Sequence, residues 1–150
     1  MSRALYIGFD RELSKTEYGK EEIFDGFEYP DSLYVQDGIL FDGLTEDIVK
    51  CRVGRSFGFA WYEVKSCVLP FECESRLADS MPDLYLAAYR VTKWFINYLE
   101  TSVKGGNMPH LMQRWLGDKQ LKKAERKTVK AKNLRCEDYV LPCDVLIDIR

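Results

Sequence analysis

The stretch from residue 80 to residue 100, SMPDLYLAAYRVTKWFINYLE, constrains the fold of this chain more than any other segment. On a helical wheel its charged and amide side chains fall on one narrow strip, and most other positions are apolar or small. The strip consists of Asp83, Arg90, Lys93, Asn97 and Glu100. A surface helix usually carries an apolar stripe over only about a third of its circumference. These inverted proportions predict a central buried helix, over about 80–101, that other elements cover on most sides.

The segments around this helix predict a sheet. Alternating apolar, β-branched and aromatic residues predict strands at 4–9, 33–36, 39–41 and 57–69, and a broken strand within 138–149. Asp37-Gly38 lies between two of them and favours a hairpin turn. Two further helices are predicted, at about 108–116 and about 118–132. The expected fold class is α+β, a mainly antiparallel sheet packed on the central buried helix.

Length and composition favour a single α+β domain spanning 1–150. The chain is 46% hydrophobic and 31% charged, and no apolar run approaches the roughly 20 residues that a membrane span needs. The N-terminal residues lack the pattern of a secretory signal. Five cysteines, an odd number without close pairing, indicate reduced thiols and a cytoplasmic location.

A net charge of −2 conceals a strong asymmetry. Residues 1–50 hold twelve acidic and five basic residues, a net of −7, while residues 119–135 hold eight basic residues and one acidic residue, a net of +7. On the predicted third helix the basic side chains share one arc. They are Lys119, Lys122, Lys123, Arg126, Lys127 and Lys130. A nucleic-acid-binding protein that uses this basic helix, 119–130, is therefore one hypothesis, although no aromatic residue lies within 119–135 for base stacking.

The acidic half suggests a different partner. Carboxylates cluster around the predicted turns with aromatic residues between them, a pattern suited to a surface that engages a cationic protein. The predicted protein-binding residues are Phe24, Asp25, Phe27, Glu28, Tyr29, Asp31, Tyr34, Asp37 and Asp42. The leading hypothesis is a non-enzymatic intracellular inhibitor, of the immunity or anti-defence type, that binds a basic nuclease or effector. Its oligomeric state stays open.

The sequence offers little support for catalysis. His110 is the only histidine, and no nucleophile pairs with it in sequence. The cysteines lack the tight spacing of zinc sites, so no metal or other cofactor is expected. Asp10 ends a hydrophobic strand, as carboxylates of metal-dependent nucleases do, which keeps a small metal-dependent hydrolase as a third hypothesis. The glycine-rich stretch at 54–58 fits either an anion-binding loop with Arg55 or an ordinary turn.

Overall fold

The computed structural model describes residues 2–14, 22–24, 27–29, 32–36, 38–117 and 120–150, and the side chains of 2–14, 38–117 and 120–150. The strands in these ranges are β1 (Arg3–Phe9), β2 (Glu22–Phe24), β3 (Phe27–Tyr29), β4 (Ser32–Gln36), β5 (Ile39–Gly43), β6 (Ala60–Lys65), β7 (His110–Trp115), β8 (Glu125–Val129) and β9 (Val145–Ile149). The helices are α1 (Glu46–Arg52), α2 (Leu77–Ser80) and α3 (Pro82–Lys104), with a 3-10 turn at Ala131–Asn133.

Seven of the described strands form one sheet in the order β4-β5-β6-β1-β7-β9-β8. Every neighbouring pair is antiparallel except β8 and β9, which are parallel. The strands β2 and β3 form a separate two-stranded sheet. The predicted α+β class with a mainly antiparallel sheet is therefore confirmed.

The sheet is covered on both faces. Strand side chains point alternately to the two faces, so each central strand supplies residues to two apolar clusters. On the face covered by α3, the cluster includes Leu5, Ile7, Phe41, Phe95 and Leu99. On the opposite face, covered by α1 and the segment after it, the cluster consists of Ala4, Tyr6, Val49, Val53, Trp61, Met112 and Leu146. We call these the α3 face and the α1 face.

Helix α3 confirms the long helix predicted at 80–101, with Pro82 in its first turn, where a missing N–H leaves no hydrogen bond unmade. Other elements cover less of this helix than the sequence predicted, because only one of its faces is buried. The buried residues are Ala88, Val91, Thr92, Phe95, Ile96, Leu99 and Ser102. On the outer side Leu86 is 61% exposed. No helix among the described residues is long and apolar enough to cross a membrane.

The helix predicted at 108–116 is wrong, because this segment forms strand β7. β7 lies between β1 and β9, and five of its six residues are buried. A strand covered on both faces shows no polar–apolar alternation, so its apolar residues fit a helical period equally well. Neighbouring Leu111 and Met112 are both fully buried, but they point to opposite faces.

The helix predicted at 118–132 is also wrong. Residues 121–124 have no regular structure, β8 follows, and the 3-10 turn ends the segment. β8 is an edge strand whose first four residues are exposed, so it needs no apolar alternation. Charged residues on such an edge discourage pairing with other chains. The lysine-rich pattern that fits a solvated helix face therefore also fits a solvated sheet edge.

The predicted hairpin is present as the antiparallel pair of β4 and β5, with Gly38 at a φ of 75°. After it, Thr45 caps α1 by accepting a hydrogen bond from the Ile48 N–H at 3.4 Å. Val49 of α1 packs against the sheet. After Val53 the chain continues into a loop at residues 54–59. This path places the end of α1 beside the segment that leads into β8.

Candidate functional site

A cleft of about 510 Å³ opens on the α1 face, between the C-terminal end of α1 and the segment leading into β8. Its lining combines cationic and apolar side chains. The lining residues are Lys50, Cys51, Val53, Gly54, Arg55, Phe57, Arg114, Gln120, Leu121, Lys122, Lys123 and Ala124. This size lies within the range of about 300–1,000 Å³ typical of ligand pockets.

Arg114 of β7 joins the two walls of the cleft. Its side chain is buried, and its Nε and Nη2 atoms donate to the Val53 carbonyl at 3.2 and 2.6 Å. Its Nη1 atom donates to the Lys122 carbonyl at 2.8 Å and to Asp144 Oδ1 at 2.7 Å. One rigid guanidinium therefore fixes the spacing between the two segments that form the cleft.

The loop after α1 is shaped by left-handed backbone conformations. Gly54 has a φ of 104°, and a Cβ atom there would lie 3.2 Å from Arg114 Nη2. Phe57 adopts a φ of 55°, which is uncommon for an aromatic residue. The Trp61 indole N–H donates to the Ser56 carbonyl at 2.8 Å and holds this loop on the sheet. The stretch forms turns, and three of its residues line the cleft.

The cleft carries a net positive charge. Five of its lining residues are cationic and none of the described ones is acidic. Asp144 balances Arg114, and Glu46 lies 3.8 Å from Lys50 in an exposed pair that contributes little. No ion pair between described side chains involves Arg55, Lys122 or Lys123. These three residues leave a charge of about +3 around the opening.

A second polar cluster lies on the same face around His110, which is 1% exposed. Its Nδ1 atom is 2.7 Å from Asp148 Oδ1, and its Nε2 atom is 3.1 Å from Asp10 Oδ1. The Phe59 ring stacks on the imidazole at 3.7 Å, nearly parallel. Arg126 Nε donates to Asp148 Oδ2 at 2.8 Å. The cluster thus ties together β1, β7, β9 and β8.

The contacts of this cluster connect side chains from several strands of the sheet. Each ring nitrogen of His110 faces one carboxylate oxygen, so the imidazole connects two acidic side chains from distant parts of the chain. Burial alone would raise the pKa of Asp148, but hydrogen bonds from Arg126 and His110 favour the ionised form and hold its pKa below the ordinary value. Asp10 and Asp148 contact opposite edges of the ring and do not converge on one point. The described residues contain no group of three or more side chains that could hold a metal.

The predicted acidic and aromatic surface lies mostly outside what the structure describes. Asp25, Asp31 and Asp37 are outside the described residues. Five others lie in described strands, but their side chains are not described: Phe24, Phe27, Glu28, Tyr29 and Tyr34. Asp42 of β5 is described, and its Oδ2 atom is 3.7 Å from Lys65 Nζ. This carboxylate is therefore at least partly neutralised within the fold.

The predicted basic residues do not share one arc. Lys119 is outside the described residues, and Lys122 and Lys123 line the cleft. Arg126 points to the α1 face, where it pairs with Asp148. Lys127 follows it on the strand and points to the opposite face. Lys130 lies exposed beyond the end of β8.

Sequence analysis missed several residues of the cleft. Lys50, Phe57 and Arg114 come from three separate segments, and no local pattern connects them to Lys122. The Val53 carbonyl and the Arg114 side chain that binds it are 61 positions apart. The glycine-rich stretch with Arg55 was the available signal, since it pointed to anion binding. No family model, curated protein or solved structure matches this chain.

Proposed function

We propose that this chain is a binding protein whose basic cleft holds phosphate groups of a nucleic-acid strand. The observation that carries the proposal is the concave cleft with three cations at its opening that pair with no acidic side chain among the described residues. Lys122 and Lys123 are consecutive and exposed on one wall, and Arg55 lies on the other. Phosphates spaced along a nucleic-acid backbone match cations distributed in this way.

The expected affinity is modest and depends on salt. Three phosphate contacts predict that log K falls with log salt with a slope of roughly −2 to −3. The surrounding basic segment, 119–135, has a net charge of +7 and would steer a polyanion towards the cleft. This proposal retains nucleic-acid binding by the basic segment but replaces the helix by a cleft.

The test compares two double variants that each remove two positive charges. Lys122→Gln/Lys123→Gln changes the cleft, whereas Lys93→Gln/Lys104→Gln changes exposed lysines outside both the cleft and the basic segment. Binding of a fluorescent oligonucleotide is followed by anisotropy between about 50 and 200 mM salt. The cleft variant should bind several-fold more weakly and lose about one to two units of salt slope, while the other should change little. Equal effects of both variants would refute the cleft as the binding site.

The protein-partner hypothesis remains a second proposal, supported by the net charge of −7 in residues 1–50. An inhibitor of a basic nuclease or effector would use that segment, and its location would be cytoplasmic. Native co-purification should recover a stoichiometric partner that is lost on reversing the charges of Asp25, Glu28, Asp31 and Asp37. Capture that survives these reversals would refute this surface. Neither outcome depends on Lys122 or Lys123, so the two proposals are separable.

A further inference from the structure

We infer that the cleft accepts one unpaired nucleotide of a single strand, with its base against the apolar wall and its phosphates on the cations. This inference rests on the proposed function and adds a ligand class to it. A nucleic-acid duplex stacks its bases between two backbones, so a concave site of about 510 Å³ meets only its outer phosphates. An unpaired nucleotide can place both its base and its phosphate inside.

The lining of the cleft provides both kinds of contact. Leu121, Ala124 and Val53 give it apolar surface, and the three cations of the opening share the same lining. Phe57 adds an aromatic ring from the loop after α1. No aromatic residue lies within the basic segment itself, so the fold brings this ring to the lysines from another part of the chain. Bases bind to such mixed sites by stacking and apolar contact.

Arg55 and Phe57, which line the cleft, are the outer members of a series of stacked planar side chains. The Arg55 guanidinium carbon lies 4.9 Å from the centre of the Phe57 ring, and Phe59 lies 6.3 Å beyond it at 22°. Phe59 in turn stacks on His110. Arg55 is the outer member of this series and is exposed. Arginine planes that already rest on an aromatic ring are suitable surfaces for a base.

The site is also held in place before any ligand arrives. Arg114 binds carbonyls from both walls, and Trp61 holds the Ser56 carbonyl of the loop. A site with fixed walls loses less conformational entropy on binding than one that must close around its ligand. This rigidity favours a ligand that fits the existing volume over one that needs a wider opening.

The reactivities of three cysteines can report whether a ligand occupies the cleft. Cys51 is exposed and lines the cleft, Cys67 is exposed and lies outside it, and Cys73 is buried. Alkylation by N-ethylmaleimide, followed by peptide mass spectrometry, reports all three rates in one sample. A saturating single-stranded oligonucleotide should slow Cys51 several-fold and leave Cys67 unchanged. Cys73 should stay unreactive throughout, which shows that the fold is intact.

The same measurement with a duplex of identical sequence separates this inference from the proposed function. We expect the single strand to bind more tightly by anisotropy and to protect Cys51, and the duplex to leave Cys51 reactive. Equal affinity and equal protection by both would overturn the unpaired-nucleotide site, while the proposed function would stand if Lys122→Gln/Lys123→Gln weakened both. Absence of binding by either nucleic acid would overturn both.

A matched pair of leucine variants tests the base contact. Leu121→Ala removes apolar surface from the cleft, and Leu116→Ala removes it from an exposed position outside. The first should weaken single-strand binding about three- to tenfold with an unchanged salt slope, because it removes a contact to the base and none to phosphate. The second should change nothing. Equal affinities of the two variants for the single strand would overturn the proposed contact between Leu121 and the base.

Discussion

Replacing Phe95 by alanine tests how α3 is packed. Phe95 is fully buried and meets Phe71 edge to face at 5.9 Å between ring centres. Removing a buried phenyl ring costs about 3–5 kcal/mol of unfolding free energy, because apolar contacts are lost and a cavity remains. The total unfolding free energy of a natural domain is only about 5–15 kcal/mol. The melting temperature should therefore fall by roughly 6–20 °C.

The neighbouring Trp94 provides the informative comparison. Its side chain is only partly buried and stacks on Tyr98 at 5.4 Å. Trp94→Ala should lower the unfolding free energy by about 1–2 kcal/mol, since the ring lies at the edge of the core and is only partly buried. Denaturant unfolding followed by circular dichroism gives both values, and Asn97→Ala on the exposed side should be nearly neutral. A loss for Trp94→Ala as large as for Phe95→Ala would refute one-sided packing of this helix.

Three further changes test the α1 face. Asp148→Asn should lower the unfolding free energy by about 3 kcal/mol at neutral pH. Because the pKa of Asp148 is lowered in the folded state, this stabilisation of the wild type is complete above about pH 4 and is lost as the pH falls through the folded pKa. Unfolding free energies measured over a series of acidic pH values would show this loss. Gly8→Ala should lower the unfolding free energy by about 1–3 kcal/mol, because its new Cβ would lie 3.1 Å from the Trp61 ring. Thermal denaturation measures this loss. Arg114→Lys should speed amide exchange at residues 53–58, since one ammonium cannot hold two carbonyls and a carboxylate in the same geometry.

Local patterns in the sequence identified much of the fold. The long helix, the hairpin at Gly38 and the strands β1 and β9, which are the first and last along the chain, each follow from short-range periodicity or turn chemistry. β7 and β8 could not be assigned in this way. The buried strand has no polar face and the edge strand has no buried face, so neither shows the alternation that identifies a half-buried strand.

The candidate site was less accessible to sequence analysis than the fold. Lys122 and Lys123 were identified from charge alone, but their cleft depends on Arg114 reaching two distant carbonyls. The sequence likewise showed no partner for His110, whereas the structure buries it between two carboxylates. Such contacts depend on strand order, which single-sequence patterns do not encode.

The position of β1 has a consequence for how the chain folds. Gly8 pairs with Trp61 on one side and with His110 on the other, which are 53 and 102 positions later in the chain. Pairings over such distances raise the contact order and slow folding. During synthesis, this apolar strand is made well before either partner and remains exposed until β7 has emerged. We expect slow folding, and early transient aggregation centred on the segment that becomes the middle of the sheet.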